Sequence, residues 1–303
     1  MKVSLIDLDL LQLNRRRKVA FPNLALMKLS AYHKARGDEV YLNLPLDRPD
    51  VTYGSCVFTW NAKRGASIPS EGITGGSGLS LNKELPPEVE HIMPDYSLYP
   101  RVDYSLGFTS RGCIRNCPWC IVPVKEGRIE PWARIYEFWD PQHRKIVLLD
   151  NNLLAASNWR LTMDDLIAEG LKVDFNQGLD IRLVNEENVG YLKRVKTEEL
   201  RFAFDDIAYE SAVRRGIELL LANGINSRHL SFYFLVGFSK DDSVLERVNV
   251  LQSYNVEIYP MVYKSTDGKE PARRVLDVAN LPLFHGSRRN IKKFLRLVGR
   301  LPE

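Results

Sequence analysis

Cys113, Cys117 and Cys120 stand in the run TSRGCIRNCPWCIVP with the spacing C-x3-C-x2-C, and the one other cysteine, Cys56, lies far upstream. Three thiols in one short stretch of a cysteine-poor chain point to metal or redox chemistry, because a disulfide framework spreads its cysteines in pairs. A structural zinc site takes four protein ligands, commonly as two paired units, and the nearest histidine, His143, has no mate. Three thiolates leave a coordination position open. That suits a [4Fe-4S] cluster in which three irons hold protein thiolates and the fourth takes an outside ligand. Zinc, or three unrelated buried thiols, are the other readings of the same spacing.

A loop of this kind needs rigid elements around it. From Pro100 onward the pattern is regular: strand-like VDYSLGFTS, KIVLLD, LKVDFNQ, ELRFAFDD, HLSFYFLVG and VEIYPMVY alternate with helical segments, the first of them predicted to open at Pro131. Six β/α steps at about 27 to 30 residues each predict a partial (β/α)6 TIM-like barrel of parallel strands with outer helices. In such a sheet the residues at the carboxyl ends of the strands share one face and supply the site. Here they are the cysteine loop, Asp150, Asn151, Asn152, Asn176, Gln177, Asp180, Arg182, Asp205, Asp206, Gly237, Met261 and Tyr263.

Before Pro100 the chain reads as a small Rossmann-like α/β domain. VSLIDL, DEVYLNL and VTYGSCVFTW are predicted strands, and FPNLALMKLSAYHKARG a helix between the first two. The glycine- and serine-rich residues 65–78 predict a loop with one short strand, and ELPPEVEHIMPDYSLYP a linker. The expected organisation is therefore 1–100 for the small domain and linker, 101–265 for the barrel, and 266–303 for an extension ending in a basic amphipathic helix.

The C-x3-C-x2-C loop after the first strand of a six-step unit, with Trp119 just before Cys120, resembles the radical S-adenosylmethionine (radical SAM) superfamily over roughly residues 101–265. The resemblance implies that S-adenosylmethionine binds the open iron and is cleaved reductively to a 5'-deoxyadenosyl radical that abstracts hydrogen from a substrate, with an external flavodoxin- or ferredoxin-like electron donor. It implies cofactor contacts from Trp119, Asp150, Asn151, Asn152, Asn176, Gln177, Asp180, Arg182 and Gly237, and substrate contacts from Asp205, Asp206 and Tyr263. Asp150–Asn151–Asn152 stand where the family often has glycine-glycine-glutamate. The N-terminal unit resembles the start of the domain that precedes the barrel in cobalamin-dependent members and in methylthiotransferases. The resemblance admits cobalamin as a further cofactor but does not favour it, given the short length and the lack of a D-x-H-x-x-G motif. A methylthiotransferase is not expected, since it needs three further cysteines in the N-terminal domain, where this chain has Cys56 alone.

No run approaches a membrane span, so a cytoplasmic protein without membrane partners is expected. The formal charge is only +4, but NRRRK at 14–18, Arg273–Arg274 and SRRNIKK at 287–293 concentrate it. These runs admit a nucleic-acid partner and a variant reading in which the radical modifies a nucleic-acid base; solvated helix faces are the plainer explanation. A non-catalytic iron-sulfur or zinc sensor or scaffold is the reading from a different class.

Overall fold

A computed structural model describes residues 1–10, 21–238 and 243–263. The apolar run after Met1 forms β1 (Lys2–Asp7), which pairs in parallel with β2 (Glu39–Leu42) on one side and β3 (Val51–Ser55) on the other. The predicted short strand is β4 (Ile73–Gly75), parallel to β3. The order β2-β1-β3-β4 reverses direction beside β1, the switch-point arrangement of doubly wound sheets. Between β1 and β2 runs α1 (Leu24–Lys34), capped by Asn23, whose side chain accepts from the Leu26 N–H. Two glycines of the GGSG turn are required by packing, since a Cβ on Gly76 would lie 2.3 Å from Cys56 O and one on Gly78 2.8 Å from Cys56 Sγ.

The expected linker is instead packed structure. It contains α2 (Pro87–Glu90), Val89 is buried, and Tyr99 donates its hydroxyl to the buried Asp7 carboxylate at 2.7 Å. Asp95 accepts from Ser30 and pairs with Lys34, both on α1. The tyrosines explain the difference: proline and polarity suggest a tether, but Tyr96 and Tyr99 carry enough apolar area to be drawn into a core and place their hydroxyls on buried partners. Met27 of α1, Tyr99, Leu106, Val147 and Leu149 form one apolar cluster, so the N-terminal unit and the following sheet share packing across residue 100.

Downstream, β5 (Ser105–Gly107), β8 (Lys145–Leu148) and β9 (Lys172–Phe175) form one parallel sheet. A second comprises β10 (Leu200–Ala203), β11 (Leu230–Val236) and β12 (Glu257–Val262), also parallel. Parallel bridges Lys172↔Lys196 and Leu179↔Phe202 join the β9 region to the β10 region. Helices α4 (Trp159–Ala168), α5 (Glu186–Arg194), α6 (Glu210–Ala222) and α7 (Val244–Ser253) alternate with these strands. Ile146, Leu148, Val173, Phe175, Phe202, Phe232 and Phe234 point to one face and share a core with Met163, Leu166, Val189, Ile217 and Leu251 of the helices. Most of the alternate residues on β9 to β12 are polar: Arg201 pairs with Asp174 and Glu199, and Tyr233 lies near Tyr259, while Ala203, Leu235 and Met261 stand nearer the strand ends. This period-2 split gives the strands an apolar face toward the helices and a polar face away from them.

The helix expected at Pro131 does not form. Between β5 and β8 lie β6 (Ser110–Arg111), the short α3 (Val122–Lys125) and β7 (Glu130–Pro131), with β6 and β7 paired antiparallel. The Trp132 N–H donates to Thr109 O at 2.9 Å, which holds the chain extended across the proline, and only a single 3-10 turn, Ile135–Glu137, follows. The C-terminal helix and all three basic runs fall outside the described residues.

Arg247 of α7 is 2% exposed, donates to Phe204 O at 2.8 Å and Leu235 O at 3.0 Å, and lies 4.1 Å over the Phe234 ring. It ties the ends of β10 and β11 to the helix layer. Arg247→Met keeps most of the volume and strands those carbonyls, so urea unfolding should show a loss of about 2–4 kcal/mol. A loss below about 0.5 kcal/mol would contradict this role.

Candidate functional site

The cysteine loop leaves β5 under tight control. Asp150, at the end of β8, is buried and accepts from Thr109 N (3.0 Å), Thr109 Oγ1 (2.7 Å), Ser110 N (2.6 Å) and Ser110 Oγ (2.7 Å). Burial pushes its pKa up, against these four donors, which favour the charged form. Asn158 adds a bond from its side chain to Thr109 O at 2.8 Å. Gly112 then turns with φ +76°, a left-handed conformation, and a Cβ there would meet Arg128 O at 2.2 Å. Only glycine fits that approach.

Beyond this anchor come the three thiols. Cys113 and Cys117 are half-buried and Cys120 is exposed. Burial raises the pKa of Cys117, which the Arg182 charge partly opposes; burial also raises Cys120, with the Val122 N–H opposing, and the Cys113 sulfur acts electrostatically on both. Each end of the loop offers N–H groups to sulfur: Arg115 N to Cys113 Sγ at 3.3 Å and Val122 N to Cys120 Sγ at 3.5 Å. Among the described residues no three His, Cys, Asp or Glu side chains converge on a point as a metal-ion site.

The strand ends meet this loop one after another. From the β8 end, Asn152 Nδ2 lies 3.4 Å from Cys113 Sγ. From beyond β9, Asp180 accepts from Arg115 Nε of the loop at 2.9 Å and from Arg182 Nε (2.6 Å) and Nη2 (3.0 Å). The Arg182 guanidinium also sits 4.4 Å over the Tyr209 ring. From the β10 end, Asp205 receives the Trp119 side chain and the Leu235 N–H (2.9 Å), and burial raises its pKa. From the β11 end, Phe238 packs edge-on against Trp119 at 5.4 Å, and Tyr263 beyond β12 packs against Phe238 at 4.9 Å.

The sequence-derived residues thus divide. Asn152, Asp180, Arg182, Asp205, Trp119 and Tyr263 join the assembly around the loop. Asp150 is committed to holding the loop's start, and Asp206 caps a turn by accepting from the Ala208 N–H. Asn176 and exposed Gln177 bond to each other at 3.2 Å, while the Asn176 carbonyl takes the Tyr233 hydroxyl. Asn151 is half-buried with its Nδ2 unpartnered. Gly237 and Met261 lie at the ends of β11 and β12. Cys56 stands apart: its thiol is bonded to Phe58 O at 3.1 Å and pushed by burial to a pKa of about 11.

Thr109, Ser110, Arg115, Tyr209 and Phe238 were not singled out from sequence. Arg115 was the most accessible of these, being the one cation inside the C-x3-C spacing. No protein-family model matches the sequence, and no curated protein does either.

Asp180 sets a pH-dependent hold on the loop. Burial works to raise its pKa, but the Arg182 hydrogen bond and charge, with Arg115, outweigh it and keep the carboxyl below the usual range. A depressed folded pKa stabilises fully above the unfolded value near about 4, and the stabilisation drains as pH falls through the folded value. Asp180→Asn should therefore cost about 1–3 kcal/mol in urea unfolding at pH 7, and the gap should narrow as pH falls below the ordinary carboxylate range. A gap independent of pH would show that shape, not charge, is at stake.

Proposed function

We propose that this chain is a radical SAM enzyme whose [4Fe-4S] cluster would be held by Cys113, Cys117 and Cys120. The observation that carries the reading is the convergence of strand ends on one cysteine loop: Asn152, Asp180, Asp205 and Phe238 each reach it from a different strand, and Tyr263 reaches it through Phe238. Strands lie about 4.8 Å apart, so a flat six-strand sheet would span about 24 Å from first to last. Contacts from this one loop to strand ends all along that span suit a curled sheet, which supports a partial (β/α)6 barrel with its polar face inward.

The donor chemistry fits the cluster. N–H groups directed at Cys113 and Cys120 sulfurs suit thiolates that carry metal charge. A mononuclear ion would draw its sulfurs to about 3.8 Å of one another, from Zn–S bonds of about 2.3 Å. A cubane binds each thiolate at a different iron and makes no such demand. The end of β8 also holds unused hydrogen-bonding capacity, because Asn151 Nδ2 and Asn152 Oδ1 are buried without partners. Those atoms suit the polar groups of S-adenosylmethionine. Cluster and cofactor, when bound, would supply a low-potential electron and a reductively cleavable sulfonium C5'–S bond, the source of the radical that this reading requires.

The chain's own residues then have separable tasks. Asp150 fixes where the loop begins, Arg115 and Asp180 fix its middle, and Trp119 closes it against Asp205 and Phe238. Arg182 has its Nε and Nη2 donors on Asp180, so it acts as a cation beside Cys117 more than as a free carboxylate clamp. Trp119, Phe238 and Tyr263 give an aromatic wall that suits a planar or apolar group. Cobalamin is not required for this reading.

Reconstituted anaerobically with iron and sulfide and reduced with dithionite, the protein should convert S-adenosylmethionine to 5'-deoxyadenosine, detected by chromatography, and Cys117→Ala should not. A loaded, reduced protein that leaves the cofactor intact would favour the sensor or scaffold reading instead.

A further inference from the structure

Asn152 is 3% exposed, and its amide faces two acceptors at once: Nδ2 lies 3.4 Å from Cys113 Sγ and 3.4 Å from Asp180 Oδ2. An amide nitrogen carries two hydrogens, one for each partner. The opposite flip would set Oδ1 against a thiolate and a carboxylate, two acceptors, so the orientation with nitrogen toward them is the one that makes bonds. The amide plane is thereby fixed by a metal-ligand candidate on one side and by the Arg115–Asp180–Arg182 network on the other.

We propose that Asn152 is a positioning residue that holds the Cys113 thiolate by an N–H···S hydrogen bond and so raises the reduction potential of the cluster that Cys113 would ligate. This rests on the iron-sulfur reading above. The reduced cluster places more negative charge on its sulfurs than the oxidised one, so a donor aimed at a ligand sulfur stabilises the reduced form more. Asp180 contributes by holding the second hydrogen, which stops the amide from rotating away. Asn152 itself bonds to no iron and transfers nothing.

The test compares wild type with Asn152→Ala and with Asn152→Leu, which keeps the branch at Cγ and lacks the donor. Each protein is loaded with iron and sulfide, its iron and sulfide content is measured, and the midpoint potential is read by a redox titration followed by electron paramagnetic resonance. Loading should be equal, and both variants should show a reduction equilibrium constant lowered by up to about fivefold, the ceiling set by the whole worth of one hydrogen bond of about 1 kcal/mol. At 59 mV per tenfold for one electron, that is a shift of up to about −40 mV. Equal midpoints in all three loaded proteins would overturn the role given to Asn152 and leave the cluster reading standing. Wild type that takes up no [4Fe-4S] cluster would overturn both.

Discussion

A buried carboxylate, Asp150, is the constraint on which the arrangement of the cysteine loop depends. Taking that charge out of water is costly unless its oxygens are filled, and the two residues that leave β5, Thr109 and Ser110, fill them with two backbone and two hydroxyl donors. The exchange binds the ends of two adjacent parallel strands, β5 and β8, at the point where the chain must turn into the loop. Gly112 follows at once with the only backbone that lets the strand pass Arg128 O. The thiols are therefore delivered to the carboxyl edge of the sheet by the anchor before them.

From that anchor outward the loop is secured by charge and then by aromatic packing. Arg115 is fastened to Asp180, whose other partners are Arg182 and Asn152, while Trp119 lies beside Asp205 and packs against Phe238. Asp205 is itself tied to β11 through Leu235 N–H, and Arg247 grips the carbonyls of Phe204 and Leu235 from the helix layer below. Side chains on the helix side are apolar and close-packed; those at the strand ends are charged and bonded to one another. The outcome is a firm frame under three thiols that are partly open to an incoming group.

The parallel strands were legible because hydrophobic periodicity and strand length are local properties. So was the cysteine spacing, which no neighbouring segment alters. What the sequence concealed was how polar residues at the strand ends are used. Asp150 and Asp180 look alike as carboxylates after strands, yet one is consumed by hydroxyl and backbone donors and the other by two guanidiniums. That depends on which loop lies opposite, a non-local fact. The Pro131 helix was misread for a related reason: a proline at a helix start and a proline in a two-residue pair present the same local signal, and the Trp132 bond to Thr109 decides between them. The packed segment before residue 100 shows the same limit, because Tyr99 finds its partner in Asp7, the last residue of β1 and far away in sequence.

The central claim is that three thiolates leave one iron open for S-adenosylmethionine, and Mössbauer spectroscopy of the protein loaded with 57Fe tests it most directly. The account predicts that adding S-adenosylmethionine changes the signal of one iron site out of the four and leaves the others as they were. A spectrum in which all the irons stay unchanged at saturating cofactor would contradict it.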